Sequence, residues 1–200
     1  MVSDVRQVTA RRGPAPPGRG RRRRVLATGL ALAVALLGAV RVRADASVPE
    51  YELKAAFLYN FAKFVEWPEE SLAGDTALAV CVLGDDPFGG TLERTLAGKT
   101  VRDHALVLRR FAKPADVRGC HVLFVNVDPR ELTTTLRALE GRGALTVGDA
   151  DGFAERGGMI GFVTDEQRLR FEVNLDAIER AKLRVSSQML KLATRVLKSD

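Results

Sequence analysis

The chain has 200 residues, of which 46% are hydrophobic and 28% charged. This composition is typical of a globular domain and unlike that of disordered, collagen-like or multi-pass membrane proteins. Residues 1–44 hold ten arginines and one acidic residue, a net charge of +9, whereas residues 45–200 hold 21 basic and 24 acidic residues, a net charge of −3. A duplex-binding domain needs basic side chains to displace counterions from phosphates. The acidic body therefore argues against nucleic acid as a partner.

Residues 1–44 have the pattern of an export signal. Arg21–Arg24 precede an uncharged run over residues 25–40, which is shorter than the roughly 20 apolar residues of a membrane-spanning helix and suits a signal-peptide core. Small residues that fit a cleavage site follow. We therefore predict a signal peptide with an arginine-rich n-region over residues 1–44 and a periplasmic domain over residues 45–200. An uncleaved N-terminal anchor is the alternative, and it also places the domain outside the cytoplasm.

Apolar patterns beyond the leader alternate between strand and helix. The predicted elements are helix Pro49–Trp67, strand Leu78–Leu83, helix Gly90–Ala97, strands His104–Phe111 and His121–Val127, helix Arg130–Glu140, strands Ala144–Val147, Met159–Val163 and Leu169–Val173, and helices Leu175–Leu183 and Ser187–Leu197. This order predicts an α/β fold: a single domain with a mostly parallel sheet of about six strands and helices on both faces, Rossmann-like or flavodoxin-like. Only residues 164–168 separate the last two strands, a hairpin length that predicts one antiparallel edge.

The two cysteines fall on or beside strands that are expected to be neighbours. Cys81 lies in the first strand and Cys120 directly precedes the third. Such strands are commonly adjacent in doubly wound sheets, and exported proteins meet an oxidising compartment. We therefore expect a Cys81–Cys120 disulfide, with two buried reduced cysteines as the alternative.

Motifs for catalysis or cofactor binding are sparse. His104 and His121 each begin a core strand, where a hydrogen-bonded structural histidine is the usual outcome, and the chain has no nucleophile elbow, HExxH or CxxC motif. Asp85, Asp86 and Asp128 follow strand ends as in phosphoacceptor domains, but the lysine that such domains need after the fifth strand is missing. We predict a protein that is not an enzyme and holds no metal or cofactor. A hydrolase that uses either histidine is the alternative.

Several segments of the body resemble the YfiR family of exported bacterial proteins. They are YELKAAFLYNFAKFVEWP (51–68), VCVLGDDPFG (80–89), VLFVNV (122–127), LTVGDADGFAERGGMIGFV (145–163) and RFEVNLDAIERAKLRVSSQMLKLA (170–193). The resemblance implies a periplasmic α/β regulator that binds the periplasmic sensor domain of an inner-membrane diguanylate cyclase and holds it inactive, lowering cyclic di-GMP and biofilm formation. It also implies that Cys81 and Cys120 match one family cysteine pair, and that an outer-membrane lipoprotein sequesters the repressor.

A binding protein of this kind should present residues that are hard to explain as core. Such residues are Tyr59, Asn60 and Lys63 on the first helix, Asn174 at the start of the penultimate helix, and Ser187 and Lys191 on the last. An unpaired buried amide costs about 1–3 kcal/mol, so Asn60 should find a partner, and a hydrogen bond between helices is the alternative to a ligand contact. We predict this set as a partner- or ligand-binding surface. The alternative function is a periplasmic small-molecule binding module without a cyclase partner. A homodimer is one alternative for the oligomeric state.

Overall fold

The computed structural model describes residues 47–72, 77–166 and 168–199, so the predicted signal peptide over residues 1–44 lies outside the described residues. The described helices are α1 Ser47–Phe64, α2 Glu69–Leu72, α3 Thr91–Leu96, α4 Leu132–Leu139, α5 Leu175–Arg180 and α6 Ser187–Leu192, with a 3₁₀ turn at Pro114–Asp116. The described strands are β1 Val65–Glu66, β2 Ala77–Gly84, β3 Thr100–Val101, β4 His104–Phe111, β5 Val122–Asn126, β6 Leu145–Gly148, β7 Ile160–Asp165, β8 Arg168–Asn174, β9 Arg184–Val185 and β10 Arg195–Leu197.

Eight of these strands form one mixed sheet in the order β10-β8-β7-β6-β5-β2-β4-β3. The neighbours from β7 to β4 and the pair β10–β8 are parallel, whereas β7–β8 and β3–β4 are antiparallel. The predicted α/β class and mostly parallel sheet are therefore confirmed, with eight strands in place of about six. The chain runs from β2 out to β4 and returns on the other side of β2 at β5. The carboxyl ends of β2 and β5 thus form the topological switch point, where α/β proteins usually bind ligands.

The C-terminal part of the chain differs from its prediction. The β7–β8 hairpin is antiparallel as expected, but it is not at an edge because β10 pairs beyond β8. The predicted helix Ser187–Leu197 is wrong in its second half, since α6 ends at Leu192 and Arg195–Leu197 form β10. Thr194 N donates to Phe171 O at 2.9 Å, and β10 then satisfies backbone groups that β8 would otherwise expose at its outer edge.

Two predicted helices are shorter in the structure because the residues after them form a separate two-stranded sheet. The first helix ends at Phe64 instead of Trp67, and the penultimate helix ends at Arg180 instead of Leu183. The residues that follow each helix pair as antiparallel β1 and β9, with Val65 opposite Val185. This pairing ties the end of α1 to the segment that leads into α6.

The core consists of two apolar layers on opposite faces of the sheet. Alternate side chains of β2 separate into them: Val80 and its neighbours at i±2 pack on the layer with α1, α3, α5 and α6, whereas Cys81 and its neighbours at i±2 pack on the layer with α4. Leu132, Leu136 and Leu139 form the buried stripe of α4. Helices therefore cover both faces, as predicted.

The structure joins Cys81 and Cys120 by a disulfide, as the sequence predicts, with their Cα atoms 6.0 Å apart. Both cysteines are buried in the layer that α4 covers. The bond links β2 to the residue before His121, whose backbone N–H donates to Ala79 O at 2.9 Å. It therefore fastens β2 to the segment that leads into β5, at the amino end of β5 and away from the switch point.

The position of Phe153 explains two of the glycines in the segment 145–163. Its buried ring lies against both Gly148 and Gly158, where a Cβ atom would come within 2.2 Å and 2.1 Å of ring carbons, respectively. Neither position has room for a side chain without moving the ring. The two glycines thus allow the loop after β6 to fold its phenylalanine into the core.

Candidate partner-binding surface

The predicted surface residues fall in three places. Tyr59, Asn60 and Lys63 lie on the C-terminal half of α1, Asn174 lies between β8 and α5, and Ser187 and Lys191 lie on α6. The structure brings two of these places together. Ser186 N donates to Phe64 O at 3.0 Å, which puts the first residues of α6 beside the last residues of α1.

The α1 group is built around the ring of Tyr59. Tyr59 and Asn60 are half-buried and Lys63 is exposed. The ammonium group of Lys63, one helical turn beyond Tyr59, lies 5.4 Å from the ring centroid, and the ammonium group of Lys99 lies 4.4 Å from it. Both distances are within the range of a cation–π interaction. Sequence reasoning missed Lys99 because it comes from the loop after α3, and no local pattern indicates that this loop reaches α1.

Asn174 has a structural role. Its Oδ1 accepts a hydrogen bond from Ala177 N at 2.9 Å and caps α5, while its Nδ2 donates to Ala154 O at 2.8 Å. The first bond satisfies one of the free N–H groups at the start of the helix, which is why asparagine is favoured there. The second ties α5 to the loop after β6. Both the oxygen and the nitrogen of the side-chain amide are therefore engaged.

The α6 residues lie on the surface. Ser187 and Lys191 are exposed and one helical turn apart. Ser186, rather than Ser187, caps the helix, since its Oγ accepts a hydrogen bond from Met189 N at 3.2 Å. Ser187 therefore has no capping role in α6.

A buried polar cluster on the N-terminal half of α1 was missed by sequence reasoning. The Nζ of Lys54 lies 2.5 Å from Asp149 Oδ2 and 2.6 Å from Glu50 Oε1, and the hydroxyl of Tyr51 donates to Asp149 Oδ2 at 3.1 Å. The side chain of Lys54 is only 4% exposed, compared with 18% for Asp149 and 45% for Glu50. The spacing of Glu50 and Lys54 fits a helical ion pair, but nothing in the sequence indicates that Asp149 completes it.

The electrostatics of this cluster follow from its burial. Desolvation lowers the pKa of Lys54, but its hydrogen bonds to Asp149 and Glu50 outweigh that effect and raise the pKa above its ordinary value. Burial, followed by the charge of Asp149, raises the pKa of Tyr51. The cluster therefore holds a charged lysine and a neutral tyrosine, and it fastens α1 to the carboxyl end of β6.

A cleft of about 330 Å³ opens beside the cluster. Its lining includes Lys54, Asp149, Asp151, Phe162, Thr164 and Glu172. The size suits a small molecule. The cleft lies at the carboxyl ends of β6 and β7, the edge of the sheet at which α/β proteins usually bind ligands.

His121 is part of the buried frame. It is 3% exposed, its Nδ1 accepts a hydrogen bond from Ala79 N at 3.0 Å, and its Nε2 lies 3.2 Å from Ser71 O. The ring of Trp67 packs edge-on against it, with centroids 5.8 Å apart. Both ring nitrogens are thus engaged by backbone groups, which fits a structural histidine.

Asp86 and Asp128, two of the acidic residues at the switch point, also have structural partners. Asp86 accepts from Phe88 N at 2.8 Å and pairs with Arg110 at 2.6 Å, and Asp128 accepts from Arg130 N at 2.8 Å. Among the described residues, no three His, Cys, Asp or Glu side chains form a group suited to a metal ion. Over the same part of the chain, no helix combines the length and apolar character needed to span a bilayer.

One known family matches most of the described chain. Residues 51–194, from Tyr51 in the buried cluster to the residue before β10, match the model of the YfiR/HmsC-like family. The chain belongs to this family. The match includes α1 from Tyr51 onward, both cysteines and all six predicted surface residues.

Two solved structures are similar over part of their length. A conserved domain protein from Vibrio cholerae O1 biovar El Tor strain N16961 has 15% identity and a TM-score of 0.44, with 60% of this chain and 54% of that chain covered. The ABC domain from Streptococcus pneumonia, solved in complex with L-Trp, has 11% identity and a TM-score of 0.49, with 72% of this chain and 60% of that chain covered. The chain thus spans little more than half of each.

Proposed function

We propose that this protein is a periplasmic regulatory protein that binds the periplasmic sensor domain of a membrane-bound diguanylate cyclase and holds the cyclase inactive. Membership in the YfiR/HmsC-like family over residues 51–194 carries the proposal. The structural roles found for His121, Asp86 and Asp128 support a protein that acts by binding rather than by catalysis. An outer-membrane lipoprotein that sequesters the repressor completes the proposal.

The proposed binding surface is the end of α1 with the adjoining helix α6. Tyr59, Asn60, Lys63, Ser187 and Lys191 contribute to it, and all five are exposed or half-buried. We leave Asn174 out because its amide is engaged in capping α5 and holding the loop after β6. Docking would inhibit the cyclase by population shift, and binding the inactive arrangement about 10⁴-fold more tightly than the active one would give nearly complete switching.

Deletion of the gene tests this proposal directly. We expect cyclic di-GMP to rise in the deletion strain and to fall again when the full gene is returned. A matched gene that encodes only residues 45–200 after an initiating Met should fail to lower it, because the protein would stay in the cytoplasm with reduced cysteines. Unchanged cyclic di-GMP on deletion, or full rescue by the leaderless gene, would contradict the proposal.

The cleft beside Asp149 favours a second candidate function, a periplasmic small-molecule binding module without a cyclase partner. Its volume of about 330 Å³ lies within the range of ligand sites. A ligand that occupies it should raise the melting temperature in proportion to the logarithm of its concentration above Kd. The Thr164→Trp variant, which fills the cleft, should lose that response, whereas the Ser187→Ala variant should keep it.

A further inference from the structure

A small basic and aromatic surface lies where α1 meets the β3–β4 hairpin. It comprises Tyr59, Lys63, Lys99 and Arg102, and we name it the α1–β3 patch. Lys63 and Lys99 each place an ammonium group near the Tyr59 ring, at 5.4 Å and 4.4 Å from its centroid. Arg102 reaches the same end of α1, since its guanidinium lies 3.7 Å from a carboxylate oxygen of Glu66.

The charges of the α1–β3 patch are poorly neutralised. Among the described residues, no carboxylate lies within ion-pair distance of Lys63 or Lys99, and the partner of Arg102, Glu66, is itself 60% exposed. Two ammonium groups near one aromatic ring also repel each other. The patch is therefore a local site of positive potential on a body of net charge −3.

The backbone holds this arrangement in place. Lys99 is fixed on both sides, because its N–H donates to Leu96 O at 3.1 Å and its carbonyl accepts from Leu106 N at 3.2 Å. Arg102 and Asp103 form the two-residue loop of the hairpin and adopt positive φ angles of 49° and 66°. A loop of this kind usually contains glycine or asparagine, so holding two other residues there costs conformational free energy.

We propose that the α1–β3 patch is the docking site for an acidic segment of the protein partner, with carboxylates of that segment paired with Lys63 and Lys99. This inference rests on the proposed function, because it identifies the chemistry of the partner that the end of α1 binds. An opposite charge at 4 Å contributes about 1 kcal/mol per pair in bulk water and about 4 kcal/mol at the effective dielectric constant of a protein surface. Stacking on Tyr59 also restrains the lysines before the partner arrives, which reduces the entropy lost on binding.

A protein partner fits the patch better than an anionic membrane does. Recognition of anionic lipids typically uses clusters of 4–8 basic residues, whereas the patch has three, one of them already paired with Glu66. The remaining net-negative surface of the body would be repelled by an anionic bilayer. A partner segment that presents carboxylates beside an apolar side chain would match both the lysines and the half-buried Tyr59 ring.

The test compares two double charge reversals in the deletion strain and in vitro. The patch variant is Lys63→Glu/Lys99→Glu, and the control is Lys113→Glu/Lys198→Glu, which changes the net charge equally at exposed positions elsewhere. We expect the control to restore low cyclic di-GMP, and the patch variant to fail although immunoblots show equal periplasmic amounts. The conservative Lys63→Arg/Lys99→Arg variant should restore it.

The in vitro probe is a fluorescein-labelled peptide composed only of Glu and Tyr residues, titrated against the purified mature chain. The patch variant should bind it at least about tenfold more weakly than the wild type, a loss of about 1.4 kcal/mol, and the control should bind it within about twofold. Equal binding by both variants would overturn the inference. So would patch-dependent binding to phosphatidylglycerol vesicles without binding to the peptide. A deletion that leaves cyclic di-GMP unchanged would refute the proposed function instead, and the peptide titration would still decide the chemistry of the patch.

Discussion

The Lys54 cluster gives the sharpest test of how the domain is held together. Substitution of Asp149 by Asn removes one negative charge and keeps the shape of the side chain. Lys54, with only 4% of its side chain exposed, is then left with Glu50, which is 45% exposed and therefore shared with solvent. The substitution leaves a nearly buried ammonium group with one weakened partner.

The expected loss follows from this geometry. Removing one partner of a buried ion pair costs about 3–5 kcal/mol when the other charge is left uncompensated. Since Glu50 still compensates part of the charge, we expect Asp149→Asn to lower the free energy of unfolding by about 2–3 kcal/mol. Asp151 lies on the same loop and is exposed, so the matched Asp151→Asn variant should change it by less than about 0.5 kcal/mol.

The pH dependence provides a second signature of the cluster. Folding raises the pKa of Lys54 above 10.5 and that of Tyr51 above 10.0. A group with a raised folded pKa binds its proton more tightly in the folded state, so its contribution is complete below the unfolded pKa and is lost as the pH rises through the folded value. The stability difference between the wild type and Asp149→Asn should therefore be largest at neutral pH and shrink in alkaline solution.

Urea denaturation followed by far-UV circular dichroism measures both effects. The titrations should be made with the disulfide intact at neutral pH and at several pH values around and above 10. If the free energies of unfolding of Asp149→Asn and the wild type differ by less than about 0.5 kcal/mol at neutral pH, the cluster does not fasten α1 and the reasoning is wrong. A stability difference that grows with alkaline pH would refute the assigned protonation states.

Three further predictions concern stability. Replacing Cys81 and Cys120 by Ala should lower the free energy of unfolding by about 4 kcal/mol on the loop-entropy model for a sequence separation of 39, and reductant should destabilise only the wild type. Asn174→Ala should cost about 1–2 kcal/mol through loss of the cap, whereas Ser187→Ala should stay within about 0.5 kcal/mol; equal losses would contradict the assigned cap. Gly148→Ala should cost about 3 kcal/mol, the upper end of the range for overpacking, because its Cβ would clash with Phe153. Thermal unfolding measures this loss, and a neutral effect would rule out the close approach.

Much of the fold could be predicted because its central strands are long and apolar. The strand predicted over His104–Phe111 agrees with β4 at both ends. The adjacency of β2 and β5 follows from α/β topology, and it places Cys81 and Cys120 where a disulfide forms. These features depend on local periodicity and on general rules of chain connection.

Other features depend on contacts between distant residues, which no local pattern reports. The strand β10 forms because β8 offers an open edge, not because Arg195–Leu197 has a strong strand pattern of its own. The pairing of Lys54 with Asp149 and the approach of Lys99 to Tyr59 likewise require the tertiary fold. Asn174 was predicted as a surface residue because a helix-capping asparagine and a binding asparagine look the same in sequence.

The first described helix depends on partners that come late in the chain. Tyr51 and Lys54 contact Asp149, which lies 98 and 95 positions further on, and Phe57 packs against Phe171. A polypeptide that emerges from its N-terminus therefore lacks these partners of α1 until most of the body has emerged. Such non-local contacts slow folding, and apolar surface stays exposed until they form. Folding of α1 onto the sheet is therefore completed only after the residues around Asp149 and Phe171 are available.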